Sequence, residues 1–181
     1  MSFPKKHSVI NKKVNSVLKK YGSLKAPIDV ETIAEKMGAD IQFSDLEDDL
    51  SGFLVIKNKK KTIVVNENHH PRRQRFTIAH EIGHLSLHIK SNEDSLFMEK
   101  KKVYNRNLKS STGIDSKEIE ANRFAASLLL PEKMVKEYIK EETEYFEESG
   151  DDDNLIVSLS RKFNVSQTAV THRLSSLLIP K

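Results

Sequence analysis

The stretch from Arg72 to His88, RRQRFTIAHEIGHLSLH, constrains the fold most, because residues 80–84 form an H-E-x-x-H pattern. Residues four apart lie one above the other on an α-helix, so His80 and His84 would project from the same face. Two imidazoles placed in this way can bind one Zn²⁺, and Glu81 at the edge of that face can reach a water in an open coordination position. The bare pattern arises by chance in about one chain in a hundred of this length, so its context has to decide.

The composition bounds the class of protein. With 181 residues, of which 37% are hydrophobic and 31% charged, the chain is long enough for one domain with a buried core. No apolar run approaches the length of a membrane span, and the N-terminus MSFPKKHSV has no apolar region typical of a secretory signal. The chain has no cysteine, which excludes disulfides, Cys-ligated zinc and thiol catalysis. We therefore expect a cytoplasmic protein without a membrane partner.

The charges are segregated along the chain. Residues 141–153 contain eight acidic residues and no basic one, which predicts an acidic loop. Without these eight, the net charge of +4 becomes +12 for the remainder. A basic body could bind nucleic acid or an acidic partner. The alternative, which we favour, is a solvated surface over which the acidic loop folds back.

The order of predicted elements indicates an α+β fold. Apolar residues at helical spacing predict a first helix that ends before Gly22, and a second that begins after the N-cap Asp29 and stops at Gly38. Three extended, β-prone runs follow before the motif helix, at residues 39–43, 52–56 and 62–65. We predict a small three-stranded sheet packed on helices, including the H-E-x-x-H helix. Gly83 between the two histidines indicates a close backbone approach at that point.

The second half of the chain is predicted to be mostly helical. Residues 91–116 are polar and aperiodic, as in a mobile loop or a lid, and residues 117–131 form a strongly apolar helix that Pro131 ends. Residues 156–163, a turn, and a helix capped by Ser166 resemble a helix-turn-helix. We divide the chain into a first domain (1–140), the acidic loop (141–153) and a C-terminal helical hairpin (154–181) packed on or appended to that domain.

A catalytic zinc needs a third protein ligand, which in this chain must be His, Asp or Glu. Glu118, at the start of the apolar helix, is the best candidate, and Asn122 one turn further could hydrogen-bond the ligand groups. Glu120 points about 200° away from Glu118 around the helix, so both cannot bind one ion. The alternative is that both glutamates are N-terminal charges favoured by the helix dipole.

At these residues the chain resembles a known family. RQRFTIAHEIGHLSLH followed by EIEANRFAASLLLP is similar to the ImmA/IrrE family of zinc metallopeptidases, and PIDVETIAEKMGADI, DLSGFLVI and TIVVNEN precede them in the family's order. The resemblance covers about residues 5 to 135. It implies a gluzincin-like site, in which the third ligand is a Glu with a polar residue four positions later, here Glu118 and Asn122. Leu130-Pro131 replaces the common Met-Pro, a change that concerns packing only.

The resemblance also implies a function. It implies that residues 1–140 are a metallopeptidase domain and that the protein is a zinc endopeptidase with one Zn²⁺ per chain. Glu81 would be the general base and then the acid. The expected substrate is a cytosolic protein, a helix-turn-helix transcriptional repressor. Substrate would pair as an extra strand with Thr62, Ile63, Val64 and Val65, which we expect to form a sheet edge. The alternative is a non-proteolytic regulator that binds a repressor or DNA on a metallopeptidase-like scaffold, although a scaffold has no need of the Glu81 base.

Two assignments stay open at this point. The sequence does not identify the group that stabilises the oxyanion, for which four side chains are candidates: His69, His70, His88 and Tyr104. His88 could equally have a structural role at the helix end. We expect Arg75 to be a packing or ion-pair residue. Four basic residues of the C-terminal hairpin could contact phosphates if its second helix entered a major groove: Arg161, Lys162, His172 and Arg173. Because these basic residues are few, we favour a hairpin that caps the fold over one that binds DNA.

Overall fold

The computed structural model describes residues 3–22, 25–89, 95–98, 112–149 and 155–178. These residues form seven helices and four strands, and the predicted α+β fold is confirmed. In chain order the elements are α1 (Phe3–Tyr21), α2 (Val30–Lys36), β1 (Ala39–Ser44), β2 (Gly52–Lys57), β3 (Lys60–Asn66), α3 (Pro71–Leu87), β4 (Ser95–Met98), α4 (Thr112–Leu129), α5 (Glu132–Ser149), α6 (Leu155–Phe163) and α7 (Gln167–Leu178).

The ends of α2 follow the predicted capping residues. The Asp29 carboxylate accepts hydrogen bonds from the backbone N–H of Thr32, at 3.0 Å, and from its hydroxyl, at 2.7 Å. These hydrogen bonds hold the pKa of Asp29 below its ordinary value. Gly38 follows the helix with φ +77°, a left-handed conformation that glycine adopts without a steric penalty. The chain then enters β1.

The sheet contains the three predicted strands and a fourth, in the order β1-β3-β2-β4. β1 runs parallel to β3, whereas β2 is antiparallel to both β3 and β4. Asn58 and Lys59, both with positive φ, form the two-residue turn between β2 and β3. β4 lies within residues 91–116, for which we predicted a loop or lid. The polar residues around β4 hide the strand pattern in the sequence. Most of residues 91–116, and with them the predicted lid, lie outside the described residues.

The prediction that residues 62–65 form a sheet edge is wrong. Ile63 pairs with Ile41 of β1 on one side and with Leu54 of β2 on the other, and Thr62, Val64 and Val65 are paired on both sides in the same way. A strand with two neighbours has its backbone hydrogen-bonding groups engaged, so it cannot accept a substrate strand. Ile63 and Val65 are also fully buried. These residues are core, and the open edges of the described sheet are β1 and β4.

The motif helix α3 packs between the sheet and α4. Ile78 and Ile82 of α3 are fully buried in the core that Leu54 of β2 and Phe124 of α4 share. The contact between α3 and the sheet needs Gly52, because a Cβ there would lie 2.4 Å from the carbonyl oxygen of Val64, with the Thr77 side chain nearly as close. The site helix is therefore fixed on both sides by buried apolar surface.

Two helix boundaries differ from the predictions. α4 begins at Thr112 rather than at about Lys117, so Glu118 and Glu120 lie beyond its first turn and the helix dipole no longer accounts for them. α5 extends to Ser149, so residues 141–149 of the predicted acidic loop are helical. Glutamate is a good helix former, and this propensity prevails over charge repulsion along the run. Residues 150–153 lie outside the described residues.

The C-terminal hairpin of α6 and α7 packs on the preceding part of the chain. Ser166 caps α7 as predicted, because its hydroxyl accepts a hydrogen bond from the backbone N–H of Ala169 at 3.1 Å. The guanidinium of Arg72, at the start of α3, bonds to Asn164 Oδ1 and Ser160 Oγ, both at 3.2 Å. The buried Arg173 donates from Nε to the carbonyl oxygen of Leu130 at 3.0 Å. Among the described helices, none is both long and apolar enough to cross a membrane.

Candidate metal site

Three residues of the H-E-x-x-H pattern are buried in the middle of α3. His80 is 3% exposed, Glu81 1% and His84 2%. The helix begins at Pro71. Proline fits the first turn because backbone N–H groups there have no partner within the helix, so its lack of an N–H costs nothing. From there the helical repeat directs positions 80 and 84 towards α4. Side chains of this polarity are rarely buried unless they bind a partner or a metal.

The ligand atoms of His80, His84 and Glu118 converge on one point. His80 Nε2 lies 3.1 Å from Glu118 Oε2, and His84 Nε2 lies 3.3 Å from Glu118 Oε1. The two Nε2 atoms are 2.9 Å apart. Ligand atoms about 2.0–2.1 Å from a tetrahedral Zn²⁺ are about 3.3 Å from one another. The donor set and its spacing therefore fit a metal ion, and these three residues could hold one.

The carboxylate of Glu118 is ionised in this arrangement. Its partial burial by itself would raise its pKa, but hydrogen bonds with His80 and His84 outweigh that effect and lower the pKa to about 2. Burial lowers the pKa of His84, although the hydrogen bond with Glu118 acts in the opposite direction. A neutral imidazole and an ionised carboxylate are the forms that bind metal.

Asn122 lies where the sequence predicted it, one turn beyond Glu118 on α4. His80 Nδ1 is 3.0 Å from Asn122 Oδ1, so the ring can donate its Nδ1 hydrogen to the amide oxygen. This bond leaves the lone pair of His80 Nε2 directed at the converging ligand atoms.

Gly83 lies where α3 comes close to the backbone of α4, as the sequence indicated. A Cβ at this position would lie 3.2 Å from both the Cα and the carbonyl oxygen of Ala121, and 3.3 Å from the Cβ of Phe124. Helices α3 and α4 thus come close enough for Glu118 of one to reach the histidines of the other. A side chain here would press on α4, so glycine suits this position because of the limited space and not because of its backbone conformation.

Three of the four oxyanion candidates lie within the described residues, and each of them has another partner. His70 caps the start of α3, about 15 Å along the helix axis from His80. His69 bonds through Nε2 to the carbonyl oxygen of Asp48 at 3.1 Å. Both ring nitrogens of His88 have close neighbours, Nδ1 in His84 and Nε2 in Glu120. Tyr104 lies outside the described residues.

Arginines that the sequence singled out have structural partners. Arg75 donates to the carbonyl oxygen of Ile28 at 2.8 Å, in line with the packing or ion-pair role expected of it. Burial lowers the pKa of Arg75, although Asp29 and Glu31 act in the opposite direction. Arg173 is 3% exposed, so it is not available to DNA phosphates. Burial lowers the pKa of Arg173 to about 10. The exposed side chains of Arg161 and His172 remain on the hairpin surface.

Sequence reasoning missed the role of Glu120. Its Oε2 lies 3.2 Å from His88 Nε2, and its contact is with the end of α3 rather than with the ligand cluster. A signal was present in the sequence, because His80, His84 and His88 repeat every four residues along one face.

The fold and this site define an α+β protein with a possible His/His/Glu metal site. A model of the Peptidase_M78 family, described as the IrrE N-terminal-like domain, matches residues 34–175. The chain belongs to this family, and the predicted resemblance to ImmA/IrrE proteins is confirmed.

Two similar proteins extend the comparison. "Uncharacterized immunity region protein 2" of Bacillus phage phi105 is 33% identical over 94 residues, which are 52% of this chain and 53% of that protein. A solved structure titled "Mycobacterium tuberculosis transcriptional regulator" superposes with a TM-score of 0.61 at 22% identity, over 96% of this chain and 48% of that one. This likeness shows the fold alone. The chain spans about half the length of each of these two proteins.

Proposed function

We propose that this chain is a zinc-dependent endopeptidase that hydrolyses a peptide bond in one cytosolic protein, a helix-turn-helix transcriptional repressor. The observation that carries the proposal is the convergence of His80, His84 and Glu118 beside the buried Glu81. Burying a carboxylate costs free energy, and a cation in the adjacent ligand cluster would offset that cost. The position therefore favours a working role for Glu81 over a structural one.

The chain's own residues divide the chemistry between them. His80, His84 and Glu118 would hold one zinc ion, which supplies a lowered pKa for water and polarisation of the scissile carbonyl. Glu81 would accept a proton from the attacking water and pass it to the leaving amine. Asn122 would keep His80 in the tautomer that ligation needs.

The repressor as substrate is supported by the similar phage protein, which is named as an immunity region protein. Because this chain spans about half of that protein, its own partner has to be identified directly.

The test is incubation of the purified chain with a repressor encoded beside it, followed by mass spectrometry of the fragments. We expect one cleavage site, no cleavage with a chelator, and no cleavage by Glu81→Gln even though that variant still binds about one Zn²⁺ per chain. Cleavage by Glu81→Gln would contradict the proposed base. If Glu81→Gln still relieves repression in cells, the protein acts by binding and the non-proteolytic alternative is correct.

A further inference from the structure

A chain of polar contacts runs from His84 away from the ligand cluster. His84 Nδ1 lies 3.1 Å from His88 Nδ1, and His88 Nε2 lies 3.2 Å from Glu120 Oε2. The side chain of His88 is 5% exposed and that of Glu120 26%. The four-residue spacing brings the two imidazoles together at the end of α3, with ring centroids 5.1 Å apart, and α4 supplies the carboxylate. The proposed reaction uses neither His88 nor Glu120.

One arrangement of hydrogens fits these contacts when His84 binds a metal ion through Nε2. The neutral His84 ring then carries its hydrogen on Nδ1 and donates it to His88 Nδ1. Because His88 Nδ1 accepts, the hydrogen of the His88 ring lies on Nε2, from which it is donated to the Glu120 carboxylate.

This arrangement places His84 in the tautomer that metal ligation requires. In the metal-bound form, with its hydrogen on Nδ1, His84 directs the lone pair of Nε2 to the point where its ligand atom converges with those of Glu118 and His80. Asn122 has the equivalent effect on His80 through a single bond. Each histidine of the cluster thus has an acceptor behind it, and for His84 the acceptor is itself oriented by a carboxylate on the neighbouring helix.

We propose that His88 and Glu120 are positioning residues: Glu120 fixes the tautomer of His88, His88 fixes that of His84, and together they set the metal affinity of the site. The inference rests on the metal site of the proposed function, but it concerns the protein's binding of the metal and not cleavage. The competing interpretation is that the contact between His88 and Glu120 only holds α3 against α4. Removing such a contact would change the stability of the fold without a specific effect on the bound metal.

The test measures Zn²⁺ affinity of the full chain by competition with a chromophoric chelator. We expect His88→Ala and Glu120→Ala each to weaken Zn²⁺ binding about 10- to 100-fold, the range typical for groups that orient a ligand. Glu120→Gln should lose less than Glu120→Ala, because its amide oxygen still accepts from His88 Nε2. Glu35→Ala, which removes an exposed glutamate on α2, is the matched control and should leave the affinity unchanged.

The double variant tests whether the two residues act in series. In the His88→Ala background, Glu120→Ala should cause no further loss of affinity, because Glu120 then has no route to His84. A second readout is the visible absorption spectrum of the Co²⁺-loaded chain, which should change in Glu120→Ala as the His84 ring reorients. Circular dichroism establishes folding, and if His88→Ala does not fold, the variants of the partly exposed Glu120 carry the test.

The outcomes separate this inference from the proposed function. Wild-type affinity and an unchanged Co²⁺ spectrum in Glu120→Ala would overturn the positioning role while leaving the metal site intact. Fully additive losses in the double variant would also overturn it. A wild-type chain that binds neither Zn²⁺ nor Co²⁺ would overturn the proposed function itself.

Discussion

The backbone of Ala121 lies so close to Gly83 that a Cβ on Gly83 would be 3.2 Å from the Ala121 Cα. Because Ala121 lies three residues beyond Glu118 on the same helix, this spacing controls how far the Glu118 carboxylate reaches towards His80 and His84.

Gly83→Ala should weaken metal binding without stabilising the protein. The substitution gains about 1 kcal/mol of helix propensity, but the added methyl group displaces α4 by a few tenths of an ångström. We expect a loss of Zn²⁺ affinity of about tenfold, measured by chelator competition, and no rise in melting temperature. Ser86→Ala, which also raises helix propensity in α3, is the control that should keep wild-type affinity. Stronger binding by Gly83→Ala would contradict this view of the helix contact.

Glu118→Ala should cost far more metal affinity than Glu120→Ala. Glu118 contacts both histidines of the cluster, whereas Glu120 reaches it only through His88. Removing a ligand should lower Zn²⁺ affinity by well over the roughly 100-fold limit that we expect for a group behind a ligand. Isothermal titration of both variants gives the comparison. Equal losses would mean that Glu118 is not a ligand.

The metal-free protein should lose stability as the pH falls below about 6.5. Burial lowers the pKa of His84 and His88 in the folded state, so in this window the unfolded chain binds more protons and unfolding becomes more favourable. Glu118, with its pKa lowered from 4.5 to about 2, contributes stability that is lost as the pH falls from 4.5 towards 2.

Urea unfolding of chelator-treated protein at a series of pH values measures this dependence. The double variant His84→Asn, His88→Asn should have a shallower dependence between about pH 7 and pH 5, because both groups are absent. A wild-type profile that stays flat over that range would contradict the lowered pKa values.

Arg173→Met should destabilise the protein although it lies in the C-terminal hairpin. It would leave the carbonyl oxygen of Leu130, at the end of α4, without its Arg173 hydrogen bond, which costs about 1–3 kcal/mol. His172→Gln is the matched control, because its exposed side chain should change the free energy of unfolding by less than about 0.5 kcal/mol. Denaturant titration compares the two, and equal stabilities would show that the buried arginine contributes nothing.

Features that depend on local sequence were predicted well. The caps of α2 and α7, the turn at residues 164–165 and the position of the motif helix follow from the side chains of a few neighbouring residues. The convergence of His80 and His84 follows from the helical repeat alone.

Two features that depend on distant parts of the chain were not predicted. Pairing of β3 with both β1 and β2 is decided by packing across the sheet, and an isolated run such as TIVV carries no sign of how many neighbours it has. His88 and Glu120 meet only because α3 and α4 pack closely, and they are 32 residues apart in the sequence. The predicted acidic loop rested on net charge, whereas residues 141–149 are helical because glutamate has a high helix propensity.

The hydrogen bonds from Arg72 to Asn164 and from Arg173 to Leu130 affect which parts of the gene must be transmitted together. Within the described parts of the chain, the three residues that could hold the metal lie between positions 80 and 118, but the helices that present them are held in place by residues as far along as 173. A gene rearrangement that kept both motifs and replaced everything after α5 would transmit all the ligands without their support. The shortest stretch of sequence that can transmit a supported site is therefore much longer than the two motifs by which the site is recognised.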